Sequence, residues 1–500
     1  MNYLLNLNAS RLFTRFFLIL PPILTVLASV FYTGSKVLFI IYGLLASVMV
    51  FSLYKKRNGY FSLFFLSFLI LGCWLKVILH FLFYINFIEP TGQFNYSPSK
   101  WNAALLILIA AFATLLACFW LSTLFTKKIR LPSQSFKSSS YLLPLLILSF
   151  ASAAALLFFN YYFSILKIGT EPLIKLPSPL YMIIAFMVAW GNAILISALA
   201  FWLIKDGKLK PCWMFYLLSL LGALTSISMC SRVQIILYTA VPFILYFYKV
   251  SPFDRRFTKN EWIKMVFIAA ALFLATLLFV FTERYHNFLH AQLKEPGAKP
   301  AQTIPNKIRP SYIKIKYVGR VKQTFWTHSL YQFNKLIVNR WIGLEGVLAV
   351  SSATNQLGMN LFRTALFENP ARGNDAIYQK MSNSSYQKYK NFVFMTIPGP
   401  IAFFYYSGSL LMVALGLALL YFTGYFLEHL ANIFLRNEGV NAAIGVALAY
   451  LFVQLNFPVT LAYFIIELVV FLGGLALLKF LLHRQLHPQR LTQPIGNFQS

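Results

Sequence analysis

Runs of about 20 apolar residues, the length needed to cross a hydrocarbon core at 1.5 Å per residue, recur from the first part of this chain to the last. Such runs cross lipid only as helices or as strands of a closed barrel. These are continuous rather than alternating in and out, so helices are expected. Composition agrees: 59% of the residues are hydrophobic and 11% charged, against about 25% charged in soluble domains. The fold class read from the sequence is an all-α polytopic membrane protein of about 12 transmembrane helices with one large, partly helical loop. The first apolar run is read as a helix rather than as a cleavable signal.

Spans are expected near 11–33, 36–54, 60–86, 102–126, 141–163, 180–204, 213–229, 232–249, 262–282, 404–427, 440–457 and 459–480. A single helix over 213–249 would be roughly 55 Å long, against a core of about 30 Å, so a hairpin is expected at Ser226, Ser228, Cys230 and Ser231. Three regions follow: an N-terminal bundle (1–282), the large loop (283–403), and C-terminal helices with a tail (404–500).

Basic clusters fall at every second boundary: Lys55-Lys56-Arg57, Lys127-Lys128 with Arg130, Lys205 to Lys210, Arg255-Arg256 with Lys259, Arg436, and the tail with Lys479, Arg484 and Arg490. The alternate short loops carry few charges. Cytoplasmic loops are enriched in Lys and Arg, so both termini are expected inside and the 283–403 loop outside. Between Arg284 and Lys390 that loop holds 16 Lys or Arg, and between Glu283 and Asp375 five acids. Long loops translocate regardless of charge, so topology does not explain the bias. It is either a solvated basic face or a site for an anionic lipid or diphosphate, and the chemistry of phosphate recognition favours the second.

Within the loop, Arg320, Lys322, Trp326, His328, Arg340, Trp341 and Glu345 are concentrated in one segment. Trp341 and Glu345 are four apart, on one helix face. Either this is an interfacial amphipathic helix or a site in which Arg320 and Arg340 bind phosphate and Trp341 stacks on sugar. Glu345 is the first choice for a general base, with Glu368 and Asp375 next, and His328 is a weaker catalytic candidate. Arg232 opens the eighth span, where it is either a snorkelling arginine at the outer interface or a headgroup-level cation for a diphosphate. Glu467, inside the last span, is expected to pair with Lys76 in the third, beside His80. The four cysteines (Cys73, Cys118, Cys212, Cys230) are read as buried packing residues without metal-ligand spacing. No Walker loop, dinucleotide fingerprint, HExxH or GxSxG occurs, so no cofactor is expected.

The segment Ile397-Pro398-Gly399-Pro400-Ile401-Ala402-Phe403-Phe404-Tyr405-Tyr406-Ser407-Gly408 resembles the Pro-Gly-rich, aromatic approach to a span in O-antigen polymerases, the oligosaccharide repeat-unit polymerases of bacterial surface polysaccharides. Ser231-Arg232 resembles that family's Ser-Arg element at an outer helix end. The likeness covers two short motifs and the layout of spans, and the paired Arg-x10-Gly loop motifs of some members are not found here. The resemblance implies a membrane glycosyltransferase of the bacterial inner membrane. It would extend an undecaprenyl-diphosphate-linked glycan at the periplasmic face, with Arg232 and Tyr405 in the substrate site. Implied partners are the lipid-linked oligosaccharide, membrane lipids and a chain-length regulator, not nucleic acid. The competing readings are an O-antigen ligase that hands the glycan to lipid A core, a lipid-linked oligosaccharide flippase, and a scaffold in polysaccharide assembly.

Overall fold

The computed structural model describes residues 18–55, 58–87, 89–126, 140–170, 172–253, 257–294, 341–354, 357–384 and 396–484. Among these residues the chain is helical and contains no strand. Among the described residues nine helices are long and apolar enough to cross a membrane: α2 (Lys36–Lys55), α3 (Tyr60–Phe83), α4 (Pro98–Thr126), α5 (Leu142–Phe163), α6 (Ser178–Lys205), α7 (Pro211–Ser228), α9 (Lys259–Lys294), α14 (Leu410–Leu435) and α16 (Pro458–Arg484). Three shorter apolar helices, α1 (Leu18–Phe31), α8 (Gln234–Phe247) and α15 (Glu438–Val453), fall on the remaining expected spans.

The shortness of α15 has a physical reason. At 16 residues it is about 24 Å long, less than the hydrocarbon thickness. Nearly all its side chains are buried, against α3, α6, α8 and α14, so it meets protein rather than lipid. Its small residues allow that: at Gly445 an added Cβ would stand 2.7 Å from the Phe61 nitrogen, the close backbone approach that small residues give membrane helices. The outer helices differ. Large apolar residues such as Val470, Leu411 and Phe267 are exposed on α16, α14 and α9.

The hairpin at 226–231 forms as the sequence predicts. α7 ends at Ser228 and α8 begins at Gln234. Asn160 of α5 donates to the Ser228 carbonyl (3.2 Å) and hydroxyl (2.8 Å), and the Ser226 hydroxyl accepts from Ile235 N (3.1 Å). All four cysteines are buried and unpaired.

The tenth expected span needs correction. Its first two residues, Phe404 and Tyr405, end a separate six-residue helix, α13 (Pro400–Tyr405), and the long helix runs from Leu410 to Leu435. Gly408, with φ of 71°, makes the break. Ahead of α13 lie α10 (Leu344–Ser352), α11 (Met359–Leu366), a 3-10 turn (Pro370–Asp375) and α12 (Ile377–Met381). Of these, α10 does not sit on top of the bundle. α10 packs against α3, α4 and α13, and almost every one of its residues is buried.

Backbone contact explains how it enters. A Cβ on Gly72 would lie 2.1 Å from the Ile342 carbonyl oxygen, and one on Gly346 would lie 1.9 Å from that of Pro398. Real Cβ atoms do not approach so closely, so glycine is what lets 342–346 press between α3 and the 396–399 stretch. α3 adopts a π-helical turn over Ile70–Leu75 at this contact. Such turns mark places where a helix accommodates an insertion, often at functional sites. Gln379 then fastens the loop to itself, donating to Thr396 O (2.7 Å) and accepting from Thr396 N (3.1 Å).

Candidate functional site

Two polar clusters lie at the bundle end that carries the 229–233 turn and helices α10 to α13, called the loop face below. The first centres on Lys76, at the end of the π turn in α3, and Glu345, in the first turn of α10. Lys76 Nζ is 2.6 Å from Oε1 and 2.7 Å from Oε2 of Glu345, and both side chains are buried. Removing two charges from water costs several kcal/mol per ion, and only close pairing offsets that. This overturns the expected pairing of Lys76 with Glu467. Glu467 lies partly exposed on α16, whose surface is largely outward. His80 does not join either acid: its Nδ1 bonds the Ile85 carbonyl at 3.0 Å, and its ring packs among Phe87, Tyr96 and Trp101.

The second cluster surrounds the 229–233 turn. Cys230 takes a left-handed backbone (φ 50°), uncommon for a residue with a side chain. The turn is clamped there, because Arg284 of α9 donates to the Cys230 carbonyl from Nε (3.0 Å) and Nη2 (2.6 Å). Lys167, just after α5, pairs with Glu283 of α9 at 2.5 Å, its ammonium 4.6 Å from the centre of the Tyr161 ring. The Arg232 guanidinium carbon lies 5.5 Å from the centre of the Phe281 ring. Arg232 is only 3% exposed, so it is enclosed by protein rather than snorkelling as one sequence reading has it. Lys167, Glu283 and Arg284 thus group around Cys230, and Arg232 follows two residues later with its guanidinium against Phe281 of α9. Glu283 and Arg284 carried a signal in the sequence, a charged pair at the end of the ninth apolar run.

A chain of aromatic rings leads from one cluster toward the other. Trp341 stacks on Phe68 (5.8 Å between centroids), Phe68 meets Tyr450 (6.4 Å), Tyr450 meets Trp190 (6.0 Å), and Trp190 meets Tyr238 (5.8 Å) on α8, the helix that Arg232 precedes. Tyr238 donates its hydroxyl to the Ala189 carbonyl within a second π turn, Met187–Gly191 of α6. Trp341 therefore has one indole face committed to Phe68 rather than to a sugar.

Of the other expected site residues, Arg320, His328 and Arg340 lie outside the described residues. Tyr405 ends α13 half-buried, and the hydroxyl of neighbouring Tyr406 is buried with no hydrogen-bond partner among the described residues. Glu368 is buried beside the 3-10 turn, its Oε1 accepting from Ile377 N at 2.7 Å. Burial pushes its carboxyl above the ordinary value, opposed by the Ile377 N–H and by Arg372 and Lys380. Among the described residues no group of three or more His, Cys, Asp or Glu is placed to hold a metal.

Comparison of this chain with protein-family models, with curated proteins and with solved structures finds no match.

Proposed function

We propose that this protein joins lipid-diphosphate-linked oligosaccharide repeat units into a surface polysaccharide, by glycosyl transfer at the outer face of a bacterial inner membrane. In this reading all twelve apolar helices cross the membrane, both termini are cytoplasmic, and the loop face is periplasmic. The observation that supports it is the placing of Lys167, Arg232 and Arg284 around the α7–α8 turn and the end of α9 at that face. A diphosphate is a good leaving group, and preorganised cations stabilise its developing charge without nucleotide or general acid. Both substrates are held in the same membrane, so orientation supplies much of the remaining acceleration.

The acceptor hydroxyl needs a base. Glu345 fits that role poorly, because Lys76 engages both its oxygens in a closed site. Glu368 fits better: the Ile377 N–H engages its Oε1, and a carboxyl raised above its ordinary value is a stronger base once ionised. Glu345 and Lys76 then hold α10 in the bundle.

The test is reconstitution of the purified protein with lipid-linked repeat units alone. A ladder of extended lipid-linked products, formed without nucleotide, is expected. Transfer only when lipid A core is supplied would make the protein a ligase. Movement of lipid-linked units across the vesicle membrane with no new glycosidic bond would make it a flippase.

A further inference from the structure

The bundle end opposite the loop face holds a cavity of about 200 Å³, whose lining includes Tyr60, Tyr248, Glu428, Asn432, Glu438 and Asn441. One water needs about 10–15 Å³ of such space, so the cavity holds several waters or a small molecule. Its polar groups are unevenly used. Glu428 Oε1 and Oε2 accept from Tyr60 N (2.8 Å) and Phe61 N (2.7 Å), where the first turn of α3 presents N–H groups that no helical carbonyl meets. Glu438 Oε2 accepts from the Tyr60 hydroxyl at 2.9 Å. Asn441 Nδ2 donates to Asn432 Oδ1 at 3.0 Å, but Asn441 Oδ1 has no hydrogen-bond partner among the described residues, although the side chain is 3% exposed.

A buried acceptor without a donor costs about 1–3 kcal/mol, and a bound donor would remove that cost. Two carboxylates line the same space. The faces of Tyr60 and Tyr248, stacked 5.9 Å apart, and of Tyr425 and His429, nearly parallel at 6.4 Å, add aromatic walls. Carboxylates, an unused carbonyl oxygen and aromatic rings together favour a cation that carries N–H groups.

We infer that this cavity binds a primary ammonium group, presented either by a free small amine or by the headgroup of an aminophospholipid. The ammonium would donate to Asn441 Oδ1 and lie between Glu428 and Glu438. This site is separate from the proposed transfer chemistry and stands whether or not that reading holds.

The test uses the full-length protein purified in detergent and in nanodiscs, with thermal unfolding as readout. Ethanolamine hydrochloride should raise the melting temperature saturably, while tetramethylammonium chloride at equal concentration, which has the charge but no N–H, should not. In nanodiscs, a shift with phosphatidylethanolamine over phosphatidylcholine, without a response to free ethanolamine, identifies the lipid as the source. The reverse pattern identifies a free amine. Asn441→Leu should weaken the ethanolamine response about tenfold or more, the loss of one charge-assisted hydrogen bond. If that variant does not fold, the partly exposed Glu438 allows the same comparison through Glu438→Gln. Equal shifts with both salts and no lipid preference overturn the proposal, as does an undiminished response in a folded variant.

Discussion

Lys76 and Glu345 stand 269 positions apart in sequence, yet the ammonium of one lies within 2.7 Å of both carboxylate oxygens of the other. The pair ties the interior of α3 to the first turn of α10, next to the Gly72–Ile342 contact. Each charge is tolerable there only because of its partner, so the two are expected to behave as a unit. Lys76→Met or Glu345→Leu alone should destabilise by about 3–5 kcal/mol, whereas the double variant should recover most of the loss. Protein yield in the membrane and melting in detergent measure this. A double variant no better than the worse single variant would mean that the two do not act as a pair.

The proposed orientation is checked at two exposed lysines on opposite ends of the bundle, Lys175 between α5 and α6 and Lys208 between α6 and α7. The native cysteines are buried, which keeps background labelling low. A cysteine at position 175 should react with an impermeant maleimide on intact spheroplasts, and one at 208 only after permeabilisation. The opposite pattern inverts the topology and moves the cation cluster to the cytoplasmic face.

The apolar runs made the helices legible, because continuous hydrophobicity over about 20 residues has few other uses. The 226–231 hairpin was legible for the same reason, since one helix there would overshoot the membrane. The inward packing of α10 was not. α10 holds Leu344, Val347, Leu348 and Val350, too short an apolar stretch to separate a buried helix from an interfacial one. Gly72, Gly346 and Gly399 record the close approach, but a glycine does not name the backbone it meets. Pairing failed similarly. Depth along a helix allowed Lys76 to meet Glu467, and only the packing of α10 against α3 makes Glu345 its partner. The basic character of the loop end was visible at Arg232, while the convergence of Lys167 and Arg284 with it depends on how three helix ends meet.

Gly72, Gly346 and Gly473 have different surroundings. Gly72→Ala and Gly346→Ala force backbone apart and should cost at least about 1–3 kcal/mol, the usual penalty for overpacking. Gly473 on α16 has no atom within 4 Å of an added Cβ. Gly473→Ala should leave melting unchanged or raise it slightly, since alanine favours helix by up to about 1 kcal/mol. Similar melting temperatures for all three variants would show that 342–346 does not press on α3 as described.

Glu368 gives a pH test with a definite sign. Its carboxyl is raised in the folded protein, mainly by burial, so the folded state holds the proton more tightly than the unfolded state. Stability from this group is therefore greatest at acid pH and falls as pH rises from the ordinary carboxylate value through the raised one. Glu368→Gln keeps an oxygen for the Ile377 N–H but does not titrate. The melting temperature of the variant minus that of the wild type should be more positive at pH 7 than at pH 4. A difference that is flat or reversed across this range removes the raised carboxyl, and with it the case for Glu368 as base.

Arg232 provides the sharpest test of the proposed chemistry. Its guanidinium is enclosed against Phe281, and Arg284 and Lys167 secure the turn and helix ends around it. If it stabilises the leaving diphosphate, its contribution grows as charge develops, so turnover should suffer more than substrate binding. Arg232→Lys keeps a charge but loses the planar fork that matches phosphate oxygens. That variant should melt near the wild-type temperature, lose about 10²–10³-fold in kcat, as on removing one preorganised donor, and change little in KM. Arg232→Ala should abolish long chains while single repeat units persist, whereas Lys208→Ala, on an exposed turn at the other end, should be silent. A lysine variant that makes chains of normal length at a normal rate would remove Arg232 from the transfer step. A variant that loses melting temperature and activity together would make Arg232 a packing residue of the α7–α8 turn.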